Sequence, residues 1–172
     1  MRRVEWLVRG AMLGGLMMSS TAAMSQETSK EQEALATALH AKHVALATGL
    51  RAATATGKPI SAKYEYEDGK LQLSVYTEKG GQFSEVVVNH HTGKIAKTEK
   101  ITEGDDLKAA QAQSTAAAKA RTSLAAALGK ALAGNKGYSA VSATATVKDG
   151  GPVAEITLIR GTKFRTVTVP RT

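Results

Sequence analysis

The sequence contains no cysteine. That absence excludes disulfides, a lipid-modified cysteine anchor, thiol catalysis and cysteine-based zinc or iron–sulfur sites. An oxidising compartment permits disulfides without requiring them, so export stays open. Two Phe and one Trp are too few for the aromatic platforms on which single-stranded nucleic acids stack. The 23 Lys and Arg exceed the 15 Asp and Glu, but the basic residues are scattered, with no run of four. No Gly-x-Ser-x-Gly occurs, and no Ser, His and acid form a recognisable catalytic set. No apolar run approaches the roughly 20 residues that cross a bilayer.

The N-terminus is distinctive. Arg2, Arg3 and Arg9 precede and flank a short apolar stretch, Gly10 to Met18, followed by small residues up to Ser25. A basic start, a short apolar core and a small-residue site read as a secretory leader over 1–25, cut between Ala23 and Ser25. The mature chain of about 147 residues is long enough for its own core. It is expected in the periplasm or outside the cell, without stable membrane insertion.

A pattern then occurs twice. Ser61-Ala62-Lys63-Tyr64-Glu65-Tyr66-Glu67-Asp68-Gly69 returns 81 residues later as Ser142-Ala143-Thr144-Ala145-Thr146-Val147-Lys148-Asp149-Gly150, and Phe83, Val86 and Val88 recur as Phe164, Val167 and Val169. A repeat of this length indicates a duplicated supersecondary unit, each copy covering the other's apolar surface.

Each copy reads as a helix and three strands. The first helix is expected over 29–53, capped by Thr28 or Ser29, with Leu35, Leu39, Leu46 and Leu50 on one stripe. Three strands follow, Ile60–Tyr66, Leu71–Val75 and Phe83–Asn89, each alternating apolar and polar. Asp68-Gly69 and Lys79-Gly80-Gly81 make the turns. The second helix is expected over 106–133, capped by Asp105 or Asp106, with Leu124, Leu128 and Leu132 inward; its Ala-rich part, 109–120, has almost nothing to bury. Strands at 138–147, 153–160 and 164–169 close the second copy. The fold class is α+β: a signal peptide (1–25), unit 1 (26–97), a linker (98–105) and unit 2 (106–172), each unit a helix on a three-stranded antiparallel sheet. Leu50 and Leu132 are expected in equivalent, buried places.

The helix, the Asp-Gly hairpin and the closing Val86-Val87-Val88-Asn89-His90-His91-Thr92-Gly93-Lys94-Ile95 resemble the PepSY domain, which also occurs in propeptides of thermolysin-like metalloproteases. Asn89 stands where an acidic residue is usual. Asp68, Gly69, Thr92, Gly93 and Lys94 carry the turn motifs. The second copy is divergent and ends before any Thr-Gly signature. The resemblance implies a non-enzymatic, exported protein acting by protein–protein contact, with a regulatory or inhibitory partner such as an exported peptidase. In plan the tandem is also similar to exported β-lactamase-inhibitor proteins, which bind an enzyme with the outer face of a sheet.

Two groups of residues compete for the functional role. Lys63, Glu65, Ser74 and Glu85 alternate to the side of the first sheet away from its helix and form a mixed-charge face suited to a protein partner. His40 and His43, three apart on the expected helix, have a spacing that can place two imidazoles on one metal, and His90-His91 lie in a turn. Without an acidic partner segment, no metal and no cofactor are expected. A small periplasmic ligand- or metal-binding protein is the alternative. Tyr64 and Tyr66 share a strand face with Ile60 and Ala62, which places them toward the helix unless that face is solvent-exposed.

Overall fold

The computed structural model describes residues 21–172. The apolar and basic parts of the leader lie outside that range. The chain forms α1 (Thr21–Ala38), α2 (Leu46–Ala53), β1 (Lys58–Glu67), β2 (Lys70–Lys79), β3 (Gln82–Val88), β4 (Ile95–Ile101), α3 (Gly104–Ala118), α4 (Leu124–Ala133), β5 (Ser139–Lys148), β6 (Gly151–Arg160) and β7 (Lys163–Pro170). All seven strands join one antiparallel sheet in the order β4-β3-β2-β1-β5-β6-β7.

The six strands with alternating patterns form as expected, and their details repeat at 81 residues. Asp68 (φ 49) and Asp149 (φ 51) both take the left-handed conformation ahead of a positive-φ glycine, which gives two tight hairpins matched to the sheet's twist. Register shifts fall between Pro59 and Ser61 in β1 and between Ala140 and Ser142 in β5, the same place in each copy. The copies meet at the centre of the sheet, where Ser61 faces Thr144, Ala62 faces Ala143 and Lys63 faces Ser142. Because Ser142 repeats Ser61 and Thr144 repeats Lys63, a local two-fold axis passes between Ala62 and Ala143.

The helices differ from the sequence expectation. The first does not run over 29–53: α1 starts at Thr21 and ends at Ala38, and α2 begins at Leu46. No Gly or Pro marks the break. Instead Val44 N donates to His90 O (2.7 Å), exchanging a helical bond for one to the turn after β3. The second helix is likewise split. Arg121 N and Thr122 N donate to Arg171 O at 2.8 and 3.3 Å, and Ser123 then caps α4 by accepting from Ala126 N (3.1 Å). Residues 90 and 171 are 81 apart, so both elbows are tied to the carbonyl of the same repeat position. Asp105 and Asp106 are not caps; Glu103 holds the N-cap position of α3, where its side chain makes no capping hydrogen bond, and the two Asp lie in the first turn. Residues 98–101, expected to begin the linker, instead belong with the end of unit 1 to the edge strand β4, paired against β3.

Helices α2 and α4 lie side by side on one sheet face, α2 over β1–β3 and α4 over β5–β7. Leu46, Leu50, Tyr64, Leu73, Val75, Val86, Leu128, Ile156 and Leu158 are buried there. At about 25 cal/mol per Å² of apolar surface, this burial is the dominant stabilising contribution. Leu50 is buried as expected, but its repeat partner is Ala131, and Leu132 is only half-buried. Helix α3 packs elsewhere. Its Ala110, Ala116 and Ala117 contact Ile60, Tyr76 and Ala145, with Phe83 and Ile101 at the margin. Tyr76 pairs with Ser61 and Glu85, on the face opposite Leu73 and Val75. The Ala-rich stretch is therefore not an idle surface: small residues let α3 approach the second face closely.

Candidate functional site: the polar face of the first sheet half

Period-two alternation places Lys63 and Glu65 of β1, Gln72 and Ser74 of β2, and Glu85 of β3 on one face, because Lys63 pairs with Ser74 and Glu65 with Gln72. The four residues expected to share this face do so and are linked by polar contacts. Ser74 Oγ donates to Glu85 Oε1 (2.7 Å), and Gln72 Nε2 donates to Ser74 Oγ (2.8 Å) and to the same Glu85 oxygen (3.4 Å). Lys63 Nζ is ion-paired with Glu65 Oε1. This is not an open solvated surface. Ser74 is fully buried, and the Lys63 and Glu65 side chains keep 27% and 10% exposure. Burial raises the Glu85 carboxyl above its ordinary range; the Ser74 hydrogen bond opposes this, and Glu65, Asp106 and Glu99 add to it. At one border Tyr76 OH donates to Asp106 Oδ1 of α3 (2.9 Å). The result is a half-sunken polar patch with fixed orientations.

The turn motif has a structural role. Asn89 Oδ1 accepts from His91 N (3.0 Å) and Thr92 N (2.9 Å), and Asn89 N donates to Lys94 O (2.8 Å). The carboxamide thus does the accepting expected of an acidic residue. Gly93 has φ 73, and a Cβ there would come within 2.7 Å of Thr48 Cγ2, so the turn can seat on α2 only with glycine. At the first hairpin, Asp68-Gly69 is a plain tight turn, exposed on both residues.

The histidines do not form the expected helical pair. His40 and His43 follow the end of α1, in the elbow. His43 Nδ1 donates to Ala41 O (2.8 Å), and its ring stands edge-on to Tyr64 at 5.2 Å. His91 Nδ1 donates to Lys42 O (3.1 Å), and His90 and His91 lie 4.1 Å apart, ring to ring. Burial, then His91 and His43, lower the His90 pKa. Among the described residues no three His, Cys, Asp or Glu are grouped to hold a metal. Tyr64 is turned toward the helices, its hydroxyl donating to Val44 O (2.5 Å), whereas Tyr66 is partly exposed.

A recess that the sequence reading missed lies between the α1–α2 elbow and unit 2. It has a volume of about 160 Å³ and is lined by residues including Leu39, His40, His43, Ser139, Arg160 and Gly161. The repeat explains it. Lys58, the partner of Ser139, sends its ammonium to Ala117 O of α3 (3.0 Å), and Ala117 is the partner of Ala36, which lines the recess. A lysine occupies one end of the central strand pair, and a serine leaves the other open. Reading positions 58 and 139 against each other is the signal that could have exposed it.

Among the described residues no helix is long and apolar enough to cross a membrane. No curated protein matches the chain. Among solved structures, that of a candidate lipoprotein from Clostridium difficile 630 is similar at 13% identity and a TM-score of 0.39, over 69% of this chain and 78% of that one. Residues 31–99, from within α1 through most of β4, match the PepSY family, described as peptidase propeptide and YPEB domain.

Proposed function

We propose that the protein acts after export as a non-catalytic PepSY-type module that binds a protein partner, an exported peptidase, through the polar face of the first sheet half. The match over residues 31–99 supports the class of partner. The observation that carries the choice of surface is the linked set Gln72–Ser74–Glu85 beside Lys63–Glu65. Side chains already held by neighbours lose little freedom on docking, and fixed charges of both signs favour a complementary partner over others.

The test is crosslinked capture from the envelope of the exporting cell, comparing the wild-type chain with the double variant Lys63→Glu, Glu65→Lys. The variant keeps an ion pair, so its stability should stay within about 0.5 kcal/mol. Wild type should retain a peptidase and alter its turnover, and the variant should do neither. Equal capture by both proteins would move the interface elsewhere. A second reading, a small-ligand protein, is favoured by the recess beside His40, His43 and Arg160, and is separated from the first by whether a purified sample binds small molecules without any protein partner.

A further inference from the structure

The recess of about 160 Å³ beside the α1–α2 elbow combines two kinds of lining. Ala36, Leu39 and Ile159 are buried and apolar, whereas His40, Ser139 and Arg160 are exposed and polar. The volume is close to the roughly 150 Å³ of an apolar cavity that holds one benzene. The stretches that supply its walls carry charge of one sign. Residues 39–45, 134–138 and 160–163 contain His40, Lys42, His43, Lys136, Arg160 and Lys163, and no Asp or Glu. A concave surface lined this way concentrates anions. Arg160 supplies a charge that persists at any ordinary pH. Its stem passes Gly137, where a Cβ would lie 3.9 Å from Arg160 Cδ, and its guanidinium carbon lies 4.7 Å from the centre of the Tyr138 ring. Stacking orients the group without using its N–H donors, and no carboxylate among the described residues pairs with it.

We propose that this recess binds a carboxylate on a short apolar stem, of the size of isovalerate or of a leucine at the end of a peptide. The carboxylate takes the polar rim, where a guanidinium offers two parallel N–H donors and Ser139 a hydroxyl. The stem packs against Leu39 and Ile159, and strand pairing sets Ile159 opposite Ser139. This ligand class rests on the recess taking a small molecule at all, the second reading of the function. The other end of the central strand pair has no such site. The repeat puts Lys58, Glu78 and Leu124 where Ser139, Ile159 and His43 stand, so a lysine fills the opening, an acid replaces the apolar floor and an imidazole is lost.

The experiment titrates the full mature chain, labelled with nitrogen-15, at constant ionic strength, and follows the amide signals of Gly137, Ser139 and Gly161. Isovalerate should shift them saturably with a dissociation constant on the order of 1 mM, as suits so small a ligand. Isovaleramide, which has the same shape and no charge, should bind at least tenfold more weakly. Arg160→Gln should weaken isovalerate at least fivefold and leave isovaleramide unchanged. The tripeptide Ala-Ala-Leu, with a free or an amidated end, separates the two sources of the carboxylate. Tighter binding of the free-ended peptide than of isovalerate assigns the site to peptide ends, and isovalerate binding without peptide binding assigns it to free acids. Equal binding of isovalerate and isovaleramide would overturn the carboxylate while leaving a small-ligand recess. Phosphate binding as well as isovalerate would overturn the apolar stem. No shift with any of these probes would overturn the ligand class and the small-ligand reading together.

Discussion

The two halves share a backbone and differ in what they do with it. Hairpins and bulges recur at 81 residues down to the sign of individual φ angles, and the two elbows share the position of the carbonyl that holds them. The side chains on the second sheet face do not recur. Lys63, Glu65, Ser74, Tyr76 and Glu85 in the first half become Thr144, Thr146, Glu155, Thr157 and Thr166 in the second. The first half thereby gains a linked polar patch and a tyrosine anchored to α3, and the second presents mostly threonine. The first half also carries β4 outside β3, whereas β7 is an outermost strand among the described residues. Positions that shape the hairpins and bulges match between the two halves, whereas the side chains of the second face differ and build a linked polar patch only in the first.

The largest effect that should separate the halves is in the core. Leu50→Ala should cost about 2–5 kcal/mol, because Leu50 is 1% exposed beneath α2 and its loss leaves a cavity. Leu132→Ala should cost about 1 kcal/mol or less, as expected of a half-buried side chain that only flanks the core. Urea denaturation of the two variants checks this, and similar losses would mean the halves carry equal weight after all.

The next effect is in alkali. Burial pushes the Tyr64 hydroxyl up to about 12. The Tyr76 hydroxyl is also raised, by burial first and then by the neighbouring Asp106. The unfolded chain releases a phenolic proton near pH 10 while the folded chain keeps it. The tyrosine contribution is therefore complete below about pH 10 and shrinks as pH rises further, by about 2–3 kcal/mol for Tyr64 up to pH 12. The matching positions in the second half are Ala145 and Thr157, so this sensitivity belongs to the first. Stability measured from pH 9 to 12 should fall in wild type and fall less steeply in Tyr64→Phe.

The smallest effect concerns the two ends of the central strand pair. Lys58→Ser removes the bond to Ala117 O and should cost about 1 kcal/mol. Ser139→Lys places an ammonium where it can reach the Ala36 carbonyl and should be neutral or stabilising by about 0.5 kcal/mol. A crystal structure of Ser139→Lys with the recess still open would show that the two ends are not interchangeable.

Periodicity made the strands readable, since six of them alternate and carry Gly at their turns. It also grouped Lys63, Glu65, Ser74 and Glu85 correctly on one face. The helix breaks were not readable: Leu39 and Leu46 are seven apart, a spacing a continuous helix also satisfies, and the interruption is imposed by the distant carbonyl of His90. Strand β4 was missed because Lys97, Thr98, Glu99 and Lys100 bury nothing and the strand is held by its backbone pairing. The burial of Ser74 depends on neighbours across the sheet, which alternation within one strand cannot report.

The pairing of Ala62 with Ala143 has a further consequence. Seen across that contact, the molecule is a homodimer written as a single chain, with the linking segment making the encounter intramolecular. A fragment ending at β4 would leave the inner edge of β1 unpaired and lose the helix that covers Tyr76. The natural remedy for such an edge is a second copy of the same strand, meeting itself at Ala62. In the single chain that association is built in, and the two faces it joins carry different side chains.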